Sequence, residues 1–305
     1  MSSILEFLKP WEPSLAIQLL CALAIGLYIA GLVRGHRSGH RAGFWKPFAF
    51  VLGVALLYFV TQTQYDYFAQ RMFFIHRIQH LVLHHLGPML IVLSAPAAVL
   101  GFGIPAVARR HRGVLRPLWV PVRIAYRIVQ QPVIATVLFV GLIYFWLTPS
   151  IHFGAMLSAE RYAWMNWSMA VDGLLFWWLI LNRAPDGVTP HLSYGRRILI
   201  LALIMPPQTV LGAYIFFSDQ ELFDVYSICG RAWPISPIVD QQIGGLVTWI
   251  PASMMSVVGA VILLSFMFRE HRVQENRARA ATTAPVAVSS SGNPMSTNTL
   301  FDHSS

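Results

Sequence analysis

Cysteine is almost missing from this chain of 305 residues: only Cys21 and Cys229 occur, and no Cys-x-x-Cys is present. A disulfide framework is excluded, as is any zinc or iron–sulfur site built on thiolates. Charge is scarce too. Asp, Glu, Lys and Arg make up 11% of the residues against 56% hydrophobic ones. The apolar residues come in long runs rather than amphipathic patches, which excludes an ordinary soluble domain and reads as a polytopic membrane protein. Acidic residues are the rarest charged class, 13 against 22 basic ones for a net charge of +9. The basic excess is spread between the apolar runs instead of gathered in one patch. It is a topology signal, and nucleic acid is excluded as a partner.

The runs are read as an all-α integral membrane protein of seven transmembrane helices, near residues 14–33, 48–63, 72–100, 132–147, 165–181, 198–217 and 244–268. Seventeen of the 22 basic residues fall in the segments after the first, third, fifth and seventh runs. The positive-inside rule then sets the N-terminus outside and the C-terminus in the cytoplasm. The first run has no basic stretch before it and no small-residue cleavage site after it, so it is expected to stay as an anchor. Residues 1–274 are expected to form one seven-helix domain, with a basic segment at 101–131 lying along a leaflet. Residues 275–305, rich in Ala, Thr, Ser, Pro and Asn, are expected to be a disordered cytoplasmic tail.

The chemistry concentrates in Phe74-Ile-His-Arg-Ile-Gln-His-Leu-Val-Leu-His-His-Leu-Gly-Pro88. His76, His80 and His84 recur every fourth residue, which on an α-helix stacks them on one face about 6 Å apart. His85 is predicted to point elsewhere. Pro88 removes the donor for the His84 carbonyl, predicting a kink just below the ladder. One membrane histidine more often ties helices together than binds anything, but three on one face lack partners unless they share a metal or a haem.

Other polar groups fall at matching depth. His80 lies seven residues below Phe73 and Asp172 eight below Trp164, at about 1.5 Å per residue. Asp240 and Gln242 open the last span, and His152 sits in the loop above. Met165, Met169 and Asp172 share a face of the fifth span. The candidate metal ligands are therefore His76, His80, His84 and His152, with Asp172, Asp240, Met165 and Met169 as further ligands or groups that orient them. Methionines on a membrane helix are more commonly packing. No catalytic residue stands out, and an enzyme is not expected. Imidazole suits copper, zinc, iron and nickel alike; a site open to the oxidising side, with thioethers near, favours copper.

The order His76-x-x-x-His80 with Pro88 and Ala95-Pro96, then Asp172-Gly-Leu-Leu-Phe-Trp-Trp178, then Asp240-Gln-Gln-Ile-Gly-Gly-Leu-Val-Thr-Trp-Ile-Pro251, resembles the multi-spanning CtaG family of cytochrome c oxidase assembly factors. The resemblance covers roughly residues 14–270. It implies a multi-pass protein of the bacterial plasma membrane that matures a haem-copper oxidase. The implied partners are the oxidase catalytic subunit, periplasmic copper chaperones and membrane lipids, and the implied cofactor is copper. His76, His80, Asp172, Asp240 and Gly244-Gly245 are the matching positions. Three readings compete with it: a b-type haem cytochrome, a membrane di-iron oxidase or hydroxylase suggested by His80-x-x-x-His84-His85, and a docking chaperone that holds no metal.

Overall fold

The computed structural model describes residues 7–39, 43–103, 116–182, 189–190 and 192–283. Arg109, Arg110, Arg112 and Arg183 of the basic segments, and the tail from 284 onward, lie outside the described residues. Among the described residues the structure is helical, with one isolated antiparallel bridge between Pro10 and Thr63. The chain divides into two compact units, Met1–Leu264 and Ser265–Ser305.

Helix α1 is Leu15–Arg37, α2 Trp45–Gln62, α3 Gln64–Ala69 and α4 Phe73–Leu81. A π turn at Val82–Leu86 leads into α5, Gly87–Leu93, and α6, Pro96–Gly103. Then come α7, Arg116–Val129; α8, Pro132–Trp146; α9, Pro149–Met156; α10, Ala159–Leu181; and α11, Tyr194–Phe217. The short α12, Val225–Ile228, precedes α13, Pro237–Thr283. Residues 275–283, expected to begin a disordered tail, are the last turns of α13.

Among the described residues four helices are long and apolar enough to cross a membrane: Leu15–Arg37, Trp45–Gln62, Tyr194–Phe217 and Pro237–Arg279. A bent pair, Val120–Val129 with Pro132–Trp146, adds a fifth if it counts as one crossing. The sequence reading has seven. Its third span is helical but broken, first by the π turn and again at Ala95, where φ is +52°. Its fifth is one helix, α10, diluted by Asn166 and Asp172. The sixth differs in another way: α11 runs through Pro206-Pro207 without interruption, and the Tyr144 hydroxyl donates to the Pro207 carbonyl at 2.7 Å.

Gly244-Gly245 does allow close helix contact, as expected. A Cβ on Gly245 would stand 2.7 Å from the Phe216 nitrogen of α11, and one on Gly244 would enter the Phe73 ring. Small residues let α13 approach the backbone of α11 and seat the Phe73 and Arg77 side chains of α4 against it. One cluster of buried side chains gathers Phe73, Phe223, Tyr226, Ile143 and Met169; a second gathers Met89, Phe139, Phe176, Trp177 and Leu201.

Candidate metal centre

The start of α4 is held from another helix. Asp240, wholly buried in the first turn of α13, accepts from the Phe73 amide at 3.0 Å and the Phe74 amide at 2.9 Å. These are the donors an α-helix leaves unsatisfied at its N-terminus, and a carboxylate there also meets the positive end of the helix dipole. Arg231 pairs with the same carboxylate and reaches Glu221 at 3.1 Å. Asp240 thus sets the position of the histidine helix, with both of its oxygens engaged.

One turn further, His76 and His80 are buried with ring centroids 4.4 Å apart. None of their four ring nitrogens makes a hydrogen bond of good geometry, the Ala69 backbone and the Asn166 side chain offering His76 and His80 weak ones at most. Asn166 Oδ1 is itself without a partner. Buried polar atoms are nearly always paired, so these five stand out. Tyr162 and Tyr226 stand 5.9 and 6.4 Å from His76, ring to ring.

His152 is not a solvated loop residue. It sits on α9, 1% exposed, with its ring 5.2 Å from His76 and edge-on to it. Its Nδ1 lies 3.0 Å from the Trp146 carbonyl and its Nε2 3.0 Å from the Tyr226 hydroxyl. A carbonyl can only accept, so Nδ1 carries the proton and the Nε2 lone pair takes the tyrosine O–H. Burial pushes its pKa down to about 3, so the ring is neutral and a potential ligand. To bind a metal it must give up Tyr226.

The ladder does not continue as spaced. Within the π turn the Gly87 amide donates to the Val82 carbonyl five residues back. In such a turn the fifth residue onward, not the fourth, returns to the same face. His85, expected off the face of His76 and His80, is buried at 2% exposure beside Phe139 and Trp177. His84 and His85 form their own perpendicular pair 5.1 Å apart. His84 stacks on Phe139 at 4.0 Å, and its Nε2 lies 2.9 Å from Asp172 Oδ2; the third and fifth spans do meet, but at His84, one turn deeper than the His80 that the depth count sets level with Asp172.

This contact depends on Gly173. A side chain there would collide with the His84 carbonyl, the same carbonyl that Pro88 cannot serve. Gly173→Ala is expected to push α10 off the π turn and destabilise the protein by about 1–3 kcal/mol, read from thermal melting in detergent.

Met165 and Met169 are buried on α10. Met169 lines a cavity of about 10 Å³, room for one water, together with Arg77, His84, His85 and Thr248. Arg77 is 5% exposed and donates through Nε to the Thr248 hydroxyl at 3.0 Å; among the described residues it has no carboxylate partner. Also among the described residues, no three His, Cys, Asp or Glu side chains stand together as a complete metal-binding set. The structure brings together His76, His80 and His152 on one side and His84, His85, Asp172 and Met169 on the other. Cys229 is exposed.

Sequence reasoning missed one network. Asp66 accepts from Tyr162 at 2.7 Å, Gln79 at 2.6 Å and Gln70 at 2.9 Å, and Gln79 also donates to the Val60 carbonyl at 2.7 Å. It fixes the far side of α4 against α2, α3 and α10. The available signal is Asp66-x-x-x-Gln70, a carboxylate and an amide one helical turn apart beside an apolar run.

The chain is 27% identical over 291 residues to an uncharacterized protein of Mycobacterium leprae (strain TN), covering 92% of this chain and 43% of the relative. An uncharacterized protein of Mycobacterium bovis (strain ATCC BAA-935 / AF2122/97) is 28% identical over 268 residues, 82% of this chain and 38% of that one. The chain thus spans less than half the length of these relatives. No solved structure gives a significant match. The sequence model of the family described as "Cytochrome c oxidase caa3 assembly factor" matches residues 26–270, and the chain, with its histidine helix, His84–Asp172 contact and Gly244-Gly245 packing inside that span, belongs to this family.

Proposed function

We propose that this protein supports the assembly of a haem-copper (cytochrome c) oxidase by holding a copper ion at His76 and His80 and passing it to the oxidase catalytic subunit. The observation that carries this reading is the set of four buried imidazole nitrogens without a hydrogen bond of good geometry. Two neutral imidazoles 4.4 Å apart make part of a ligand set suited to copper. His152 Nε2, once freed from Tyr226, adds a third ligand. Asp172 orients His84 from behind, and Asp240 places the helix. An incomplete set that needs a neighbour to close suits an ion that must be released again, because exchange is slow from a saturated cage.

In this reading the chain crosses the bacterial plasma membrane seven times, with the histidine pair near the periplasmic face and the C-terminus in the cytoplasm. Periplasmic copper chaperones are the donors, and no catalytic step is assigned. The test is the copper content of the purified full chain beside its His80→Ala variant, with oxidase activity of the host membranes followed in parallel. Wild-type protein is expected to retain copper and the variant to lose it, with oxidase activity falling together. Equal copper in both rejects the ligand assignment.

A further inference from the structure

The basic segment after α6 is not a plain loop. Residues 116–129 form α7, and α7 meets α8 at an angle of 77°. The elbow is built to stay bent. Gln131 is extended with ψ 129°, and Pro132 opens α8, so the helix cannot run on. Gln130, wholly buried at the corner, donates from its amide to the Leu175 carbonyl of α10 at 2.9 Å. Tyr126 shares a hydrogen bond with Thr189 at 3.1 Å. If α8 stands across a bilayer, α7 lies close to the bilayer plane.

The two faces of α7 differ in chemistry. Arg123 and Arg127, one helical turn apart, are exposed on one face. Pro121, Val122, Ala125 and Ile128 fall on the opposite face by the 3.6-residue period. Val122 and Ile128 are 54% and 53% exposed, so nothing among the described residues covers them. Beyond the elbow, Val133 and Val137 on α8 are 70% and 63% exposed, on a helix too apolar to face water. An exposed apolar face at the foot of a helix whose own exposed side chains are too apolar for water has the bilayer as its occupant. Guanidinium groups above it match the phosphodiester oxygens of phospholipid headgroups, which they can grip with two parallel hydrogen bonds.

We propose that α7 is an interfacial helix that beds its apolar face in one leaflet and binds anionic phospholipid headgroups through Arg123 and Arg127. It pins the foot of α8, and through the Gln130–Leu175 bond the foot of α10, to the leaflet surface. This holds whether or not the histidine pair carries copper.

Two measurements test it on the full chain in nanodiscs. Spin labels are placed at position 128 (Ile128→Cys) or 127 (Arg127→Cys) in a Cys21→Ser/Cys229→Ser background. The label at 128 is expected to be relaxed by oxygen, as lipid-buried sites are, and the label at 127 by a water-soluble nickel chelate. A label at 128 in water, as on a surface kept for a protein partner, overturns the proposal. So does a label at 127 in lipid, which would make α7 a re-entrant segment.

In native mass spectrometry from an equal mixture of phosphatidylglycerol and phosphatidylcholine, retained lipid is expected to favour phosphatidylglycerol about tenfold or more. The Arg123→Gln/Arg127→Gln variant is expected to lose that preference while keeping its melting temperature. Equal retention by wild type, or an unchanged preference in the variant, rejects headgroup binding.

Discussion

The His76→Leu/His80→Leu double variant is expected to be more stable than the wild-type protein when both are metal-free, by about 2 kcal/mol or more, while binding no copper. Each buried polar group left without a partner carries a penalty of about 1–3 kcal/mol, and this pair of rings contributes four such atoms. Leucine fills a similar volume and needs no hydrogen bond, although imperfect fit returns part of the gain. Thermal melting in detergent with a chelator present gives the comparison. A structural pair of histidines predicts the opposite sign, because it would be making bonds the leucines break. Stability sacrificed at one place is the physical mark of a site kept for function.

Removing the Asp240 carboxylate should act in the other direction and more strongly. Asp240→Ala strips two acceptors from the first turn of α4 and leaves Arg231 without its buried partner. Breaking a buried ion pair from one side costs about 3–5 kcal/mol, to which the lost helix cap adds about 1 kcal/mol. Asp240→Asn keeps one acceptor and is expected to fall between. Because α4 carries both His76 and His80, copper retention should drop in these variants although Asp240 itself touches no ion. If Asp240→Ala melts like wild type, the carboxylate does not anchor the helix.

What the sequence made legible follows from periodicity and solvation. Apolar runs located the helices because lipid admits little else, and counting depth from Phe73 and Trp164 brought the third and fifth spans together but set Asp172 level with His80, one turn short of the His84 it meets at 2.9 Å. Gly244-Gly245 announced close packing through the absence of side chains. The number of crossings was less legible. Asn166 and Asp172 lower the apolarity of α10, and the broken third span has no single helix long enough to qualify.

The π turn at Val82–Leu86 was hidden, since one additional residue in a turn leaves the composition unchanged. Asp66 and Tyr162 are 96 positions apart, so their hydrogen bond has no local signature. Arg77 looked like a charge to be counted for topology, and the structure buries it beside Thr248. His152 looked like a loop histidine because Thr148-Pro149 reads as a stop, when the proline instead begins α9.

The turn at Val82–Leu86 also fixes how the two imidazole pairs would respond to a change in chain length. Deleting a single residue from it restores ordinary winding, swinging everything from the second pair onward about the axis and shifting it along by roughly 1.5 Å. His85 would then leave the interior and Gly173 would lose its seat against the backbone, while His76 and His80, lying upstream, would keep their places. The upper pair is thus mechanically insulated from the lower one, and length variation at this point edits one without disturbing the other.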